Sequence, residues 1–120
     1  MPTSQTGGNF SAQRHEITTR RQLDVTAFLI ADIAVHDPDR FMDYIAQVPA
    51  FVEKHGGHYR VRGGEPLCQE GGWEPARMVV IEFPSRDHAI AFLNDPGYQP
   101  VAAIRHAAAT TNLVIADGVE

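Results

Sequence analysis

The chain has 120 residues, of which 43% are hydrophobic, and a formal net charge of −5. This length suits a single domain with a modest core. An acidic chain without a basic stripe is a poor binder of nucleic acid, because phosphate contacts need clustered Lys and Arg. No apolar run approaches the ~20 residues that a membrane-spanning helix needs. The single cysteine, Cys68, cannot form an internal disulfide. We therefore expect a cytoplasmic protein that binds neither nucleic acid nor membrane.

The composition changes along the chain near residue 25. Residues 1–24 are polar and rich in Gly, Ser, Thr and Gln, without a sustained apolar period, which predicts an N-terminal arm that contributes little to a core. Residues 25–120 carry the periodic apolar segments and are predicted to form the folded domain.

The first two predicted elements are a strand and an amphipathic helix. Residues 25–35, VTAFLIADIAV, are apolar with one charge, Asp32, which predicts a strand buried on both faces. Asp37 is a good helix N-cap, and Pro38 suits the first helical position. Pro49 removes a backbone donor inside the helix, so we expect a kink or a break there. One face of this helix is apolar and comprises Phe41, Tyr44, Ile45, Val48 and Val52.

Two glycine pairs bracket the next predicted strand in HGGHYRVRGGEP, residues 55–66. The first pair ends the helix. The second pair allows the strand to bend or bulge into the loop that follows. Strict alternation along the strand places Arg60 and Arg62 on one face and Tyr59 and Val61 on the other.

The remaining segments predict a strand, two short helices and a last strand. RMVVIEF forms a strand with one charge, Glu82, and Ser85 caps a helix that runs to Leu93. The turn NDPG leads to a short helix in YQPVAAIRHAAA, and NLVIADG forms the last strand. The order β-α-β-β-α-β predicts the ferredoxin-like α+β fold, with a four-stranded antiparallel sheet ordered 4-1-3-2 and its helices on one face. The other face would be apolar, so we expect a second copy to cover it.

Several segments of this chain resemble one known family. They are DPDRFMDYIAQVPAFVEKHGG, YRVRGGEP, GGWEPARMVVIEFPS, DPGYQP and AAATTNLVIADG. Together they resemble the domain of unknown function family numbered 1330, of the dimeric α+β barrel group, over about residues 25–119. The resemblance implies a homodimer whose two sheets form a barrel, and it implies no established activity. The broader group includes cofactor-free monooxygenases, haem-degrading enzymes and small isomerases, which is an analogy at the level of the fold.

Three charges on three predicted strands are the main candidates for chemistry. Asp32, Arg62 and Glu82 each stand among apolar neighbours, and we expect Arg62 within hydrogen-bonding reach of one carboxylate. One interpretation is a structural salt bridge at a dimer interface. The other is a site in which Arg62 binds a substrate carboxylate and Glu82 or Asp32 is the catalytic base. Tyr44 and Tyr98 are candidate substrate-binding residues, because their hydroxyls can orient a small aromatic or carboxylate ligand.

The other polar residues suggest no further chemistry. None of the six histidines has metal-ligand spacing, so we expect no metal and no cofactor. Arg77 and Arg105 are expected to neutralise nearby carboxylates. Two hypotheses follow: a small cofactor-independent enzyme that acts on an apolar or aromatic carboxylate, or a dimeric ligand-binding or interaction module without catalysis.

Overall fold

Seven helices and strands follow one another in the computed structural model, which describes residues 25–119. The predicted N-terminal arm, residues 1–24, lies outside the described residues, so the division into an arm and a domain stays a prediction. The elements are β1 (Ala27–Val35), α1 (Pro38–Lys54), β2 (His58–Gly64), β3 (Met78–Phe83), α2 (Arg86–Asn94), α3 (Gln99–Ala108) and β4 (Ala109–Asp117).

The strands form one antiparallel sheet in the order β2-β3-β1-β4. This is the predicted order, and the predicted ferredoxin-like α+β fold is confirmed. Alternate residues of β1 and β3 are buried against the apolar faces of the three helices, which therefore cover the same side of the sheet. The core includes Leu29, Ile33, Ile81, Phe83, Val48, Val52, Phe92 and Val101.

The helix termini follow the predicted capping chemistry. The Asp37 side chain accepts a hydrogen bond from the backbone N–H of Arg40 at 3.2 Å, and the Ser85 hydroxyl accepts one from the N–H of His88 at 3.2 Å. Of the kink or break predicted at Pro49, the break is wrong, because α1 continues through this residue to Lys54. Buried apolar side chains lie on both sides of Pro49, and their packing holds the two halves of the helix in one element.

A β-bulge in β2 reverses the predicted orientation of Arg62. The pairing with β3 shifts between Tyr59 and Val61, so Arg60 is an extra residue. Arg62 consequently faces the helix side of the sheet, where its guanidinium carbon lies 4.5 Å from the ring centroid of Tyr59. The prediction that Arg62 shares a face with Arg60 is wrong, because one inserted residue moves every later side chain to the opposite face.

A second irregularity in β2 lies at Gly63, as the second glycine pair predicted. Gly63 has a φ of 76°, a conformation that side-chain-bearing residues rarely adopt. A Cβ atom at this position would also collide with the guanidinium of Arg77. Glycine is therefore needed here for its backbone conformation and for the close approach of Arg77.

No helix within residues 25–119 covers the second face of the sheet, and the loop before β3 contacts this face at Asp32. Val114 on β4 is 58% exposed and Val61 on β2 is 40% exposed. Phe28, Ile30 and Val80, which point the same way, are only partly buried. This apolar surface is called the open face below. In the same part of the chain, no helix is long and apolar enough to cross a membrane.

Candidate functional site

A cavity of about 50 Å³ lies between the helices and the helix side of the sheet. Most of its wall is apolar. The polar residues of the wall are Tyr44, Tyr59, Arg62, Arg77, Tyr98, Arg105 and Thr111. Among the described residues that line it there are three arginines and no Asp, Glu or His. The cavity therefore combines apolar walls with a positive charge that no carboxylate of the lining residues within 25–119 balances.

Two tyrosine hydroxyls meet in the wall of this cavity. Tyr44 on α1 and Tyr98, directly before α3, are buried, and their oxygens lie 2.8 Å apart, with either able to donate. Burial raises the pKa of Tyr44 well above its ordinary value, and the Tyr98 hydroxyl adds to this effect. Arg105 opposes it, with its guanidinium carbon 5.8 Å from the centroid of the Tyr44 ring. Tyr44 is therefore protonated at neutral pH and acts as a hydrogen-bond donor or acceptor, not as a base.

Two of the arginines, Arg62 on β2 and Arg77 directly before β3, lie where these two strands border the cavity. Arg62 stacks on Tyr59, and Arg77 packs against the backbone of Gly63 and lies 5.6 Å from the ring centroid of Phe41. Burial raises the pKa of Tyr59, while the charges of Arg62 and Arg77 act in the opposite direction. Both guanidiniums are therefore close enough to Tyr59 to influence its hydroxyl.

Two buried polar atoms in the cavity-lining residues have no hydrogen-bond partner among residues 25–119. They are Nε of Arg77 and Oγ1 of Thr111. The two residues flank Ile33 of β1: the Ile33 N–H donates to the carbonyl oxygen of Arg77 at 2.9 Å, and Ile33 pairs with Thr111 of β4. Native structures seldom leave such atoms unpaired without a reason.

The two carboxylates predicted to pair with Arg62 lie elsewhere. Asp32 and Glu82 point to the open face, whereas Arg62 points to the helix side. Asp32 accepts hydrogen bonds from Nε1 of Trp73 at 3.1 Å and from the N–H of Ala76 at 2.9 Å. Its role in the structure is thus to hold the loop before β3 against the sheet.

Glu82 has a different partner at the other end of the sheet. Its carboxylate accepts a hydrogen bond from Nε of Arg60 at 2.8 Å. On the paired strands β1 and β3, Asp32 lies opposite Met78 and Glu82 lies opposite Phe28. The two carboxylates are therefore four residues apart along the strands, or roughly 13 Å. The prediction that Arg62 lies within hydrogen-bonding reach of Asp32 or Glu82 is wrong, because the bulge in β2 turns Arg62 to the other face of the sheet.

Three predicted residues do share one cavity, and three further ones join them. Arg62, Tyr44 and Tyr98 line it, as do Arg77, Arg105 and Thr111, which the sequence pattern did not single out as ligand contacts. The sequence did contain a signal for Arg105, because this residue lies at helical spacing from the apolar Val101 and Ala108. In the structure all three are buried, and Arg105 is only 7% exposed. A buried cation on an apolar helix face is uncommon. Within residues 25–119, no three His, Cys, Asp or Glu side chains converge as metal ligands.

Comparison with known proteins identifies the fold and the family. No curated protein matches the chain. A solved protein of unknown function from Rhodopseudomonas palustris, RPA0582, is similar with a TM-score of 0.66 and 17% identity over 96% of this chain and 99% of that chain. SnoaB from Streptomyces nogalater, described as a cofactor-independent oxygenase, is similar with a TM-score of 0.57 and 20% identity over 81% of this chain and 95% of that chain.

At such low identity these two similarities establish the shared fold and nothing more. The sequence itself gives a more specific result. The family model for a domain of unknown function (DUF1330) matches residues 26–119, and the chain therefore belongs to that family.

Proposed function

We propose that the protein binds a small apolar or aromatic carboxylate in the cavity between its sheet and its helices. One observation carries this proposal: among the described residues, three arginines and no acidic residue line a largely apolar cavity. Arg105 is buried and Arg77 is partly buried, so their guanidiniums are partly dehydrated. A cation in such a position needs an anionic partner, and a carboxylate matches the planar donors of a guanidinium. The apolar wall suits the hydrocarbon part of such a ligand.

The proposal includes a second copy of the chain on the open face. The exposed side chains of Val61 and Val114 and the partly buried side chains around them support it, since a monomer gains stability when such a surface is removed from water. The predicted catalytic role of Asp32 and Glu82 belongs to this part of the proposal. These carboxylates can act only on a ligand that lies on the open face, between two copies.

A second candidate is a cofactor-independent enzyme that acts on the same carboxylate. The observation that favours it is the Tyr44–Tyr98 hydroxyl pair beside Arg105, because such donors stabilise negative charge that develops on a substrate oxygen. The fold is compatible with this activity, since the similarly folded SnoaB is described as a cofactor-independent oxygenase. The described cavity lining contains no carboxylate or imidazole base, so binding without catalysis is the better supported function.

Calorimetric titration of the protein with a panel of aliphatic and aromatic carboxylates tests this function, with the corresponding primary amides as neutral analogues. We expect carboxylates to bind and amides not to bind. Arg62→Gln should weaken binding by about tenfold, the equivalent of ~1.4 kcal/mol, through the loss of a charge-assisted hydrogen bond.

Arg60→Gln is the matched control, because Arg60 lies two residues away and pairs with Glu82 on the open face. Equal losses in the two variants, or no binding of any carboxylate, would refute the proposed site. Mass spectrometry of the recovered ligand separates the two candidates: an unchanged ligand supports a binding protein, and a converted ligand supports an enzyme.

A further inference from the structure

We infer that the ligand is a short-chain acid with a second oxygen function, whose carboxylate lies at Arg62 and Arg77 and whose second oxygen bonds to the hydroxyl of Thr111. This inference rests on the proposed function and adds the chemical class and orientation of the ligand. It follows from the positions of unsatisfied groups and from the size of the cavity.

The carboxylate position follows from the two arginines at the β2–β3 edge. Arg62 and Arg77 both line the cavity, and the guanidinium of Arg77 packs against Gly63, the residue that follows Arg62. Two like charges therefore enter the same part of the cavity. Neither forms a salt bridge with an acidic residue in the described part of the chain. An anion between two guanidiniums removes their repulsion and accepts hydrogen bonds from both. The buried Nε of Arg77, which has no partner among residues 25–119, provides one of these donors.

The second oxygen follows from Thr111 on the other side of β1. Arg77 and Thr111 flank Ile33, so their backbones are separated by two strand spacings, or roughly 10 Å. Arg77 extends away from β4, because its guanidinium packs against Gly63 of β2. One carboxylate therefore does not serve both groups. The unpaired Thr111 hydroxyl needs its own partner, and it can donate to a carbonyl or accept from a hydroxyl.

The size of the cavity limits the length of the acid. A cavity of about 150 Å³ accommodates a benzene ring, and each water molecule needs about 10–15 Å³ on the same scale. The 50 Å³ present here corresponds to roughly three to five water molecules. This space suits an acid of about four carbons, so within the proposed ligand class it favours a small aliphatic acid over an aromatic one. A hydroxy or oxo acid of that length satisfies both the charge and the Thr111 hydroxyl.

A two-by-two comparison of ligand and protein tests the inference. Butyrate and its 2-, 3- and 4-hydroxy derivatives are titrated into the wild-type protein and into Thr111→Val, which keeps the shape of the side chain and removes its hydroxyl. We expect at least one hydroxybutyrate to bind about fivefold tighter than butyrate to the wild type, as one added hydrogen bond implies. Thr111→Val should abolish this advantage, and benzoate should bind more weakly than butyrate.

Thr110→Val is the control, because Thr110 is exposed and the neighbouring residue on the strand. It should keep the preference for the hydroxy acid. Arg77→Lys, which preserves the charge but lacks Nε, should weaken all four acids together. In the absence of ligand, the melting temperature of Thr111→Val should equal or exceed that of the wild type, because a buried unpaired hydroxyl is removed.

Each outcome decides a specific point. If no carboxylate binds the wild type, the proposed function fails and this inference fails with it. If butyrate binds but no hydroxy isomer binds more tightly, or if Thr111→Val keeps the advantage, only the inference is overturned. A lower melting temperature of ligand-free Thr111→Val also overturns it, since the hydroxyl would then already have a partner.

Discussion

At the scale of single residues, one buried carboxylate connects three elements. Asp95, in the turn between α2 and α3, is 6% exposed. It accepts hydrogen bonds from Lys54 at 2.8 Å and from His55 at 2.7 Å, both at the end of α1, and from the N–H of Gly97 at 2.8 Å. The bond from Lys54, followed by those from His55 and Gly97, holds the pKa of the Asp95 carboxyl far below its ordinary value.

This lowered pKa predicts a specific dependence of stability on pH. A carboxyl whose pKa is lower in the folded state contributes stability above its unfolded pKa, near ~4, and this contribution is lost as the pH falls toward the folded pKa. Asp95→Asn should therefore be less stable than the wild type at neutral pH. Its urea midpoint should also fall less than that of the wild type between about pH 5 and pH 2.

Asp43→Asn provides the comparison for this measurement, because Asp43 is an exposed residue of α1. Its urea midpoint should follow that of the wild type across the same pH range. A pH profile of Asp95→Asn that runs parallel to the wild type would contradict the assigned role of Asp95.

At the scale of elements, β2 is the strand that determines the composition of the cavity. Its first bulge turns Arg62 toward the helices, and its second irregularity, at Gly63, makes room for Arg77. A regular strand would place Arg62 with Arg60 on the open face. The charge of the cavity therefore depends on two local departures from regular pairing with β3.

Replacement of one glycine in this strand tests that dependence. Gly63→Ala introduces a Cβ at a φ of 76° and against Arg77. We expect a loss of about 1–3 kcal/mol in the free energy of unfolding and weaker carboxylate binding, because Arg77 must move. Urea unfolding and calorimetric titration measure the two effects.

The adjacent glycine supplies a control within the same strand. A Cβ at Gly64 would meet only the side chain of Val61, at 3.8 Å, and Gly64 is not among the glycines with positive φ. Gly64→Ala should leave both stability and binding nearly unchanged. Similar losses in the two variants would show that the strand tolerates neither substitution, whatever the position of Arg77.

At the scale of the whole molecule, the sheet divides the chain into two chemically different sides. The helix side holds the core and the cationic cavity, and the open face presents apolar residues with the Asp32 and Glu82 carboxylates at its ends. An apolar sheet face without helices is a surface that a second molecule can cover. The proposed dimer is therefore argued from the open face and does not depend on the cavity.

A charge placed on the open face should dissociate this dimer. Val114→Lys buries an unpaired ammonium in the proposed interface, which is strongly unfavourable, so light scattering at micromolar concentration should detect a monomer. Ala103→Lys, on the exposed side of α3, should remain dimeric like the wild type. A monomeric wild type, or a dimeric Val114→Lys, would rule out the open face as the interface.

The order of the elements, their caps and the sheet order were all predictable from the sequence. The signals are local: Asp37 and Ser85 cap helices through bonds to residues three positions away, and the β-α-β-β-α-β order permits few topologies. The family resemblance extended this prediction over nearly all of residues 25–119, and the match over residues 26–119 confirmed it.

The composition of the candidate site depended on tertiary structure. Arg62 faces the helices because β2 pairs with β3 through a bulge. The register between two strands depends on both segments, so the sequence of β2 alone did not reveal it. Arg77 directly precedes β3, whereas Arg105 lies on α3 and Thr111 on β4, and the three meet only after the helices pack on the sheet. The sequence determined which elements form, because capping and periodicity act over a few residues. Only the folded chain decided which side chains share a cavity, because that depends on contacts between distant segments.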